Sequence, residues 1–145
     1  MAELHESSVA LRIGGDNLLP HEITRLLGCE PTRSGEKGEV MVGKKTAVQR
    51  KLKTGTWILK AAVATPGNVD GQANEILGKL TQDMEVWRSL SSQYDMDLFC
   101  GLMMKYGDEG LEISSNTLQE LGARGIRLGL CLYGPLRGDI KQEPR

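Results

Sequence analysis

Four stretches of this chain alternate apolar and polar residues with a period of two, and that pattern demands a sheet with a buried face. Val9, Leu11 and Ile13 alternate with Ala10, Arg12 and Gly14. Trp57, Leu59, Ala61 and Val63 share one side of a second run, and Leu98, Cys100, Leu102, Met104 and Tyr106 one side of a third. In the third run Phe99 and Met103 lie on the other side, so both faces are apolar and a central strand is predicted. Ile126, Leu128, Leu130 and Leu132 form a fourth run with one apolar face.

Helical spacing fills the gaps between these runs. Pro20 suits a first helical position, Ile23, Leu26 and Leu27 make an apolar stripe, Gly28 stops it and Pro31 bars its resumption. Leu19 occupies the cap position, so Asp16 or Asn17 is expected to substitute, and Gly14-Gly15 reads as a turn whose backbone needs positive φ. Residues 32–38 are loop by composition, followed by a brief strand at Val40–Val42. After the breaker run Thr65-Pro66-Gly67-Asn68, a long helix carries Ala73, Ile76, Leu77, Leu80, Met84, Trp87 and Leu90. Asn68 or Asp70 is its expected cap, and Gly78 and the Thr81-Gln82-Asp83 group are points where it divides or kinks. Ser114-Ser115 opens a third helix, with Leu118 and Leu121, that ends at Gly122 and Gly125.

The order is β-α-β-β-α-β followed by α-β. It predicts an α+β fold: a mainly antiparallel sheet with helices on one face, a ferredoxin-like core plus a C-terminal αβ unit. The 145 residues are expected to form one domain, with an ordered core over about 8–134 and a frayed tail over 135–145.

Composition narrows the function. A net charge of −1 argues against a sequence-neutral nucleic-acid binder, yet the charge is segregated. Between Val40 and Lys60 there is no acidic residue, against six basic ones: Lys44, Lys45, Arg50, Lys51, Lys53 and Lys60. With Arg33 and Lys37 upstream, the candidate partner-binding set is Arg33, Lys37, Lys44, Lys45, Arg50, Lys51 and Lys53. The competing reading is a solubilising edge that deters sheet-to-sheet pairing. An acid-rich stretch, Asp95–Glu112, is the second candidate face, and the choice between the two stays open, as does the oligomeric state. Trp57 and Trp87, in phase with leucines, are expected in the core.

Catalytic sets are poorly represented. His5 and His21 lack a partnered nucleophile, and Gly14-Gly15 matches neither phosphate-loop spacing. Asp95 and Asp97 lie two apart and are at best a weak hard-cation pair. Cys29, Cys100 and Cys131 form no Cys-x-x-Cys motif, and Cys100 and Cys131 read as small core residues. The expectation is no catalytic residue, no metal and no cofactor. The longest apolar stretch, Trp57 to Ala64, is too short for a membrane span, and the first residues carry neither a basic nor an apolar leader segment. A cytoplasmic protein is expected.

One pattern of residues is more specific. Arg12-Ile13-Gly14-Gly15-Asp16, Pro20-His21-Glu22-Ile23-Thr24, Leu26-Leu27-Gly28, Glu30-Pro31 and Arg33 form an N-terminal block. Lys37-Gly38, Gly55, Trp57 and Leu59, then Leu121, Gly125-Ile126 and Tyr133 follow at spaced positions. Over roughly residues 8–133 this resembles the bacterial family catalogued as domain of unknown function 4279, departing from it in having Leu19 where a polar cap is usual. The resemblance implies a small stand-alone bacterial protein, a type that commonly includes immunity partners of antibacterial toxins. The expected function is therefore non-catalytic binding of a cognate protein toxin. The alternative is a small regulator holding RNA or a phosphorylated ligand through the basic 33–60 region. A third reading, an enzyme on a phosphorylated substrate, would use Arg33 and the lysines to clamp charge.

Overall fold

The alternation at Val9–Ile13 is the middle of a ten-residue strand that organises the whole sheet. The computed structural model describes residues 2–43 and 48–135. Its elements are β1 (Ala2–Glu3), β2 (Glu6–Gly15), α1 (Pro20–Leu27), β3 (Arg33–Gly35), β4 (Val40–Val42), β5 (Gln49–Lys51) and β6 (Gly55–Lys60). They continue with α2 (Val69–Gly78), α3 (Met84–Gln93), β7 (Asp95–Met103), β8 (Glu109–Gly110), α4 (Ser115–Ala123) and β9 (Arg127–Tyr133). The main sheet has the order β3-β6-β2-β7-β9, antiparallel throughout except that β7 and β9 run parallel. Strands β3-β6-β2-β7 reproduce the ferredoxin-like arrangement, and α4 with β9 adds the C-terminal αβ unit. The fold is α+β, as the alternation of periods predicts. Short parallel pairing joins β1 to β8, and β4 pairs with β5.

All four helices cover one face of this sheet. Val9, Leu11 and Ile13 of β2, Trp57 and Leu59 of β6, and Leu98, Cys100 and Leu102 of β7 meet Ile23, Leu27, Ala73, Ile76, Trp87, Leu90 and Leu121 in one core. Both tryptophans are fully buried, and each finds a polar partner for its ring N–H. Trp57 Nε1 donates to Thr24 Oγ1 at 3.1 Å and Trp87 Nε1 to the Thr81 carbonyl at 2.8 Å. A buried polar node ties α2 to the sheet. Ser7 Oγ donates to Gln72 Oε1 at 2.6 Å, while Gln72 Nε2 donates to the carbonyls of Ser7 and Ala62.

Capping explains most of the helix boundaries. Asn68 Oδ1 accepts from Gly71 N–H, Asp83 from Glu85 N–H and Ser114 Oγ from Thr117 N–H. Asp70, the other cap candidate, instead accepts the Ser114 N–H and so links α2 to the start of α4. Leu19 does hold the N-cap of α1, but no side chain replaces it, and Pro20 and the left-handed Gly28 define that helix.

The long helix divides into two between Gly78 and Met84, at the points expected to kink or divide it. Several other expectations are corrected. Residues 33–35, expected in a loop, are the sheet's edge strand, because β6 offers Ser34 a ladder partner in Trp57. Val40–Val42 lies outside the main sheet, in a separate hairpin with β5. Gly14 and Gly15 are not a positive-φ turn but the end of β2, where a Cβ on Gly15 would stand 2.7 Å from the Tyr94 ring. β6 stops at Lys60, leaving Val63 exposed, and β7 stops at Met103, short of Tyr106. Cys131 is not core but half-buried on the open face, and Leu130 and Leu132 are exposed despite their apolar alternation. The tail expected beyond residue 135 lies outside the described residues.

Candidate functional site

Opposite the helices, the strands of the sheet set their outward residues in a single row. Register places Arg33 beside Ile58, Ile58 beside Arg12, Arg12 beside Asp97, and Asp97 beside Arg127. Five strands at about 4.8 Å spacing stretch this row over about 19 Å. The next row toward the strand ends is Gly35, Thr56, Gly14 and Asp95, nearly free of bulk. Missing side chains there make a trough. A Cβ on Gly35 would sit 2.5 Å from both Glu39 and Leu52, so that glycine lets the chain beyond β3 fold down close to the sheet.

The β4–β5 hairpin extends the β3–β6 pair as an arm and walls the trough. Met41, Arg50, Lys51, Leu52, Lys53 and Thr54 come from it, and together with the sheet residues they enclose a groove of about 640 Å³. Among the described residues, six cations line it, Arg12, Arg33, Arg50, Lys51, Lys53 and Arg127, against two carboxylates, Asp95 and Asp97. The groove carries a net positive charge of four on a molecule whose overall charge is −1.

Arg12 is its most constrained cation. Nε and Nη2 donate to the two oxygens of Asp97 at 2.8 and 2.6 Å, a two-pronged pairing of cross-strand neighbours. The guanidinium also lies 4.3 Å from the Phe99 ring centre. The hydrogen bond to Asp97 pushes the Arg12 pKa further up, against the smaller opposing effect of burial. Arg127 stands 3.8 Å from Asp95, both well exposed. Arg33, Arg50, Lys51 and Lys53 have no carboxylate partner among the described residues. Four free cations around a trough with apolar patches (Ile58, Met41, Leu52) suit an anion carried on a partly apolar body.

Of the residues singled out in the sequence, the structure therefore brings together Arg33, Arg50, Lys51 and Lys53. Lys37 points elsewhere and pairs with Asp16 at 3.4 Å. Lys44 and Lys45 lie outside the described residues. Arg12 and Arg127 were missed, since each reads locally as an ordinary outward residue of a strand. Asp95 and Asp97 do share a face, but they meet arginines. The basic and acidic candidate faces thus touch in one groove. His21 is an exposed residue of α1, 3.8 Å from Glu22.

Among the described residues, no group of three His, Cys, Asp or Glu is placed to hold a metal, and no helix is long and apolar enough to cross a membrane. No curated protein and no solved structure matches the chain significantly. A family model does match, over residues 4–135, which takes in both walls of the groove. The chain belongs to the family described as Domain of unknown function (DUF4279).

Proposed function

We propose that this protein acts by binding rather than catalysis, and that it seats an acidic segment of a partner protein in the groove on its open sheet face. The observation that carries this reading is the in-register row Arg33–Ile58–Arg12–Asp97–Arg127 beneath a basic hairpin. Strands of a packed sheet hold such a row rigidly, so little ordering cost is left for binding. Charge of one sign in a concave site steers an oppositely charged partner and fixes its register. The size of the domain and its family resemblance make a cognate bacterial toxin the partner of choice, with this protein as the immunity factor that covers it in the cytoplasm.

Nucleic acid is a weaker match. Single strands bind through stacking on exposed rings, and here the face of Phe99 is occupied by Arg12. One observation does favour a second reading. A volume of about 640 Å³ falls within the range of small-molecule sites, so a phosphorylated metabolite fits the same cations.

Co-expression with a toxin encoded beside this protein tests the first reading. The wild type is expected to rescue growth and co-purify, and Arg33→Glu with Arg50→Glu to lose both while retaining its circular dichroism spectrum. Full rescue by that folded double variant contradicts the groove as the interface. Stabilisation of the protein by phosphorylated small molecules, with no toxin bound, favours the second reading.

A further inference from the structure

The main sheet ends on β3 at one side and on β9 at the other. β3 is three residues long, whereas β9 offers seven, Arg127 to Tyr133, and no described strand pairs with its outer side. Edges of this length are normally blunted by charge, proline or a bulge. β9 has one charged residue, Arg127, at its start and no proline.

Apart from Arg127, its exposed side chains are Leu130, Leu132 and Tyr133. Register with Leu98, Cys100 and Leu102 places Leu128, Leu130 and Leu132 on the helix-covered face. Leu128 packs against the core, but Leu130 is 49% exposed and Leu132 65%. The backbone is also poised for pairing. Met104 N–H donates to the Tyr133 carbonyl at 2.9 Å, which turns the polar groups of Tyr133 toward β7. By the alternation of an extended strand, Leu128, Leu130 and Leu132 direct their N–H and C=O groups outward.

We propose that β9 pairs antiparallel with β9 of a second copy of this chain, about a two-fold axis at Leu130. That register opposes Leu130 to Leu130, Leu128 to Leu132, Gly129 to Cys131 and Arg127 to Tyr133. The three outward-facing leucines of each copy meet as hydrogen-bonded pairs, giving roughly six interchain bonds. Their side chains form one continuous apolar row, Gly129 leaves room beside Cys131, and Arg127 meets an aromatic ring rather than another cation. A slip of two residues leaves an end leucine without its opposite. The strand is thus self-complementary, as an isologous interface requires, and this selects a second copy over a foreign strand. The axis stands perpendicular to the sheet, so both cationic grooves open on the same side of a continuous ten-stranded sheet.

Sedimentation equilibrium on the full chain tests the pairing. The wild type is expected at twice the 15.9 kDa chain mass. Leu130→Lys and Leu130→Glu each oppose like charges across the axis and are expected to be folded monomers by circular dichroism. Mixed in equal amounts, the two variants set Lys against Glu and are expected to recover the dimer. A monomeric wild type at about 100 µM, the weak end of specific association, overturns the proposal. So does a dimer that survives both charged variants unchanged, or a mixture that stays monomeric.

Discussion

Arg12 and Asp97 illustrate how one pair sets the character of the site. Their side chains are 46% and 18% exposed, so the pairing adds about 1 kcal/mol or less to stability. Its weight lies in the groove, where Asp97 holds the guanidinium over the Phe99 ring and offsets one positive charge. Asp97→Asn is therefore expected to leave the melting temperature nearly unchanged and to strengthen binding of an acidic peptide several-fold. Arg12→Ala is expected to weaken it, and isothermal titration calorimetry distinguishes the two signs. Cys100 presents a different case. Burial, aided by the negative field of Asp97, pushes its thiol from the ordinary 9.0 up to about 11. The native state then holds a proton that the unfolded chain has lost. Stability is accordingly expected to fall as pH rises from 9.0 toward about 11. Cys100→Ala removes this part of the slope, and denaturant midpoints across that range measure it.

At the scale of elements, the attachment of α2 to the sheet rests on Gln72 more than on its cap. Gln72 is 4% exposed; its amide donates to the carbonyls of Ser7 and Ala62 and its oxygen accepts from the buried Ser7 hydroxyl, so truncation removes three hydrogen bonds and leaves that hydroxyl without its acceptor. Gln72→Ala is expected to cost about 2–3 kcal/mol. Asn68→Ala, which loses a cap hydrogen bond near the surface, is expected to cost about 1 kcal/mol. Urea titrations giving the reverse order contradict this ranking. The helices were legible in the sequence because their signals are local: Asn68, Ser114, Pro20 and Gly28 act within a turn of their own positions. β3 was not, because Arg33-Ser34-Gly35 has the composition of a loop and becomes a strand through its pairing with β6, over twenty residues away. β5 has the same origin, its three polar residues all exposed and held by pairing with Val40–Val42.

At the scale of the whole molecule, the fold divides its two faces by polarity. Every helix lies on one side, and the net positive charge of four gathers on the other. The basic run at 50–53 announced part of that surface. Arg12 and Arg127 did not, because their proximity to Arg33 depends on the register of five strands, which alternation alone leaves unset. For the same reason Lys37, close in sequence to the site, belongs to Asp16 instead. Long-range attraction into the groove is expected to weaken as salt shortens the screening length to a few ångströms. The most direct test is a titration of the ¹⁵N-labelled protein with a short polyglutamate peptide at low salt, followed by amide chemical shifts. The largest shifts are expected at Arg33, Ile58, Arg12, Asp97, Arg127 and Lys51–Thr54. Shifts confined to the helix-covered side, or none at millimolar peptide, contradict the open sheet face as a binding surface.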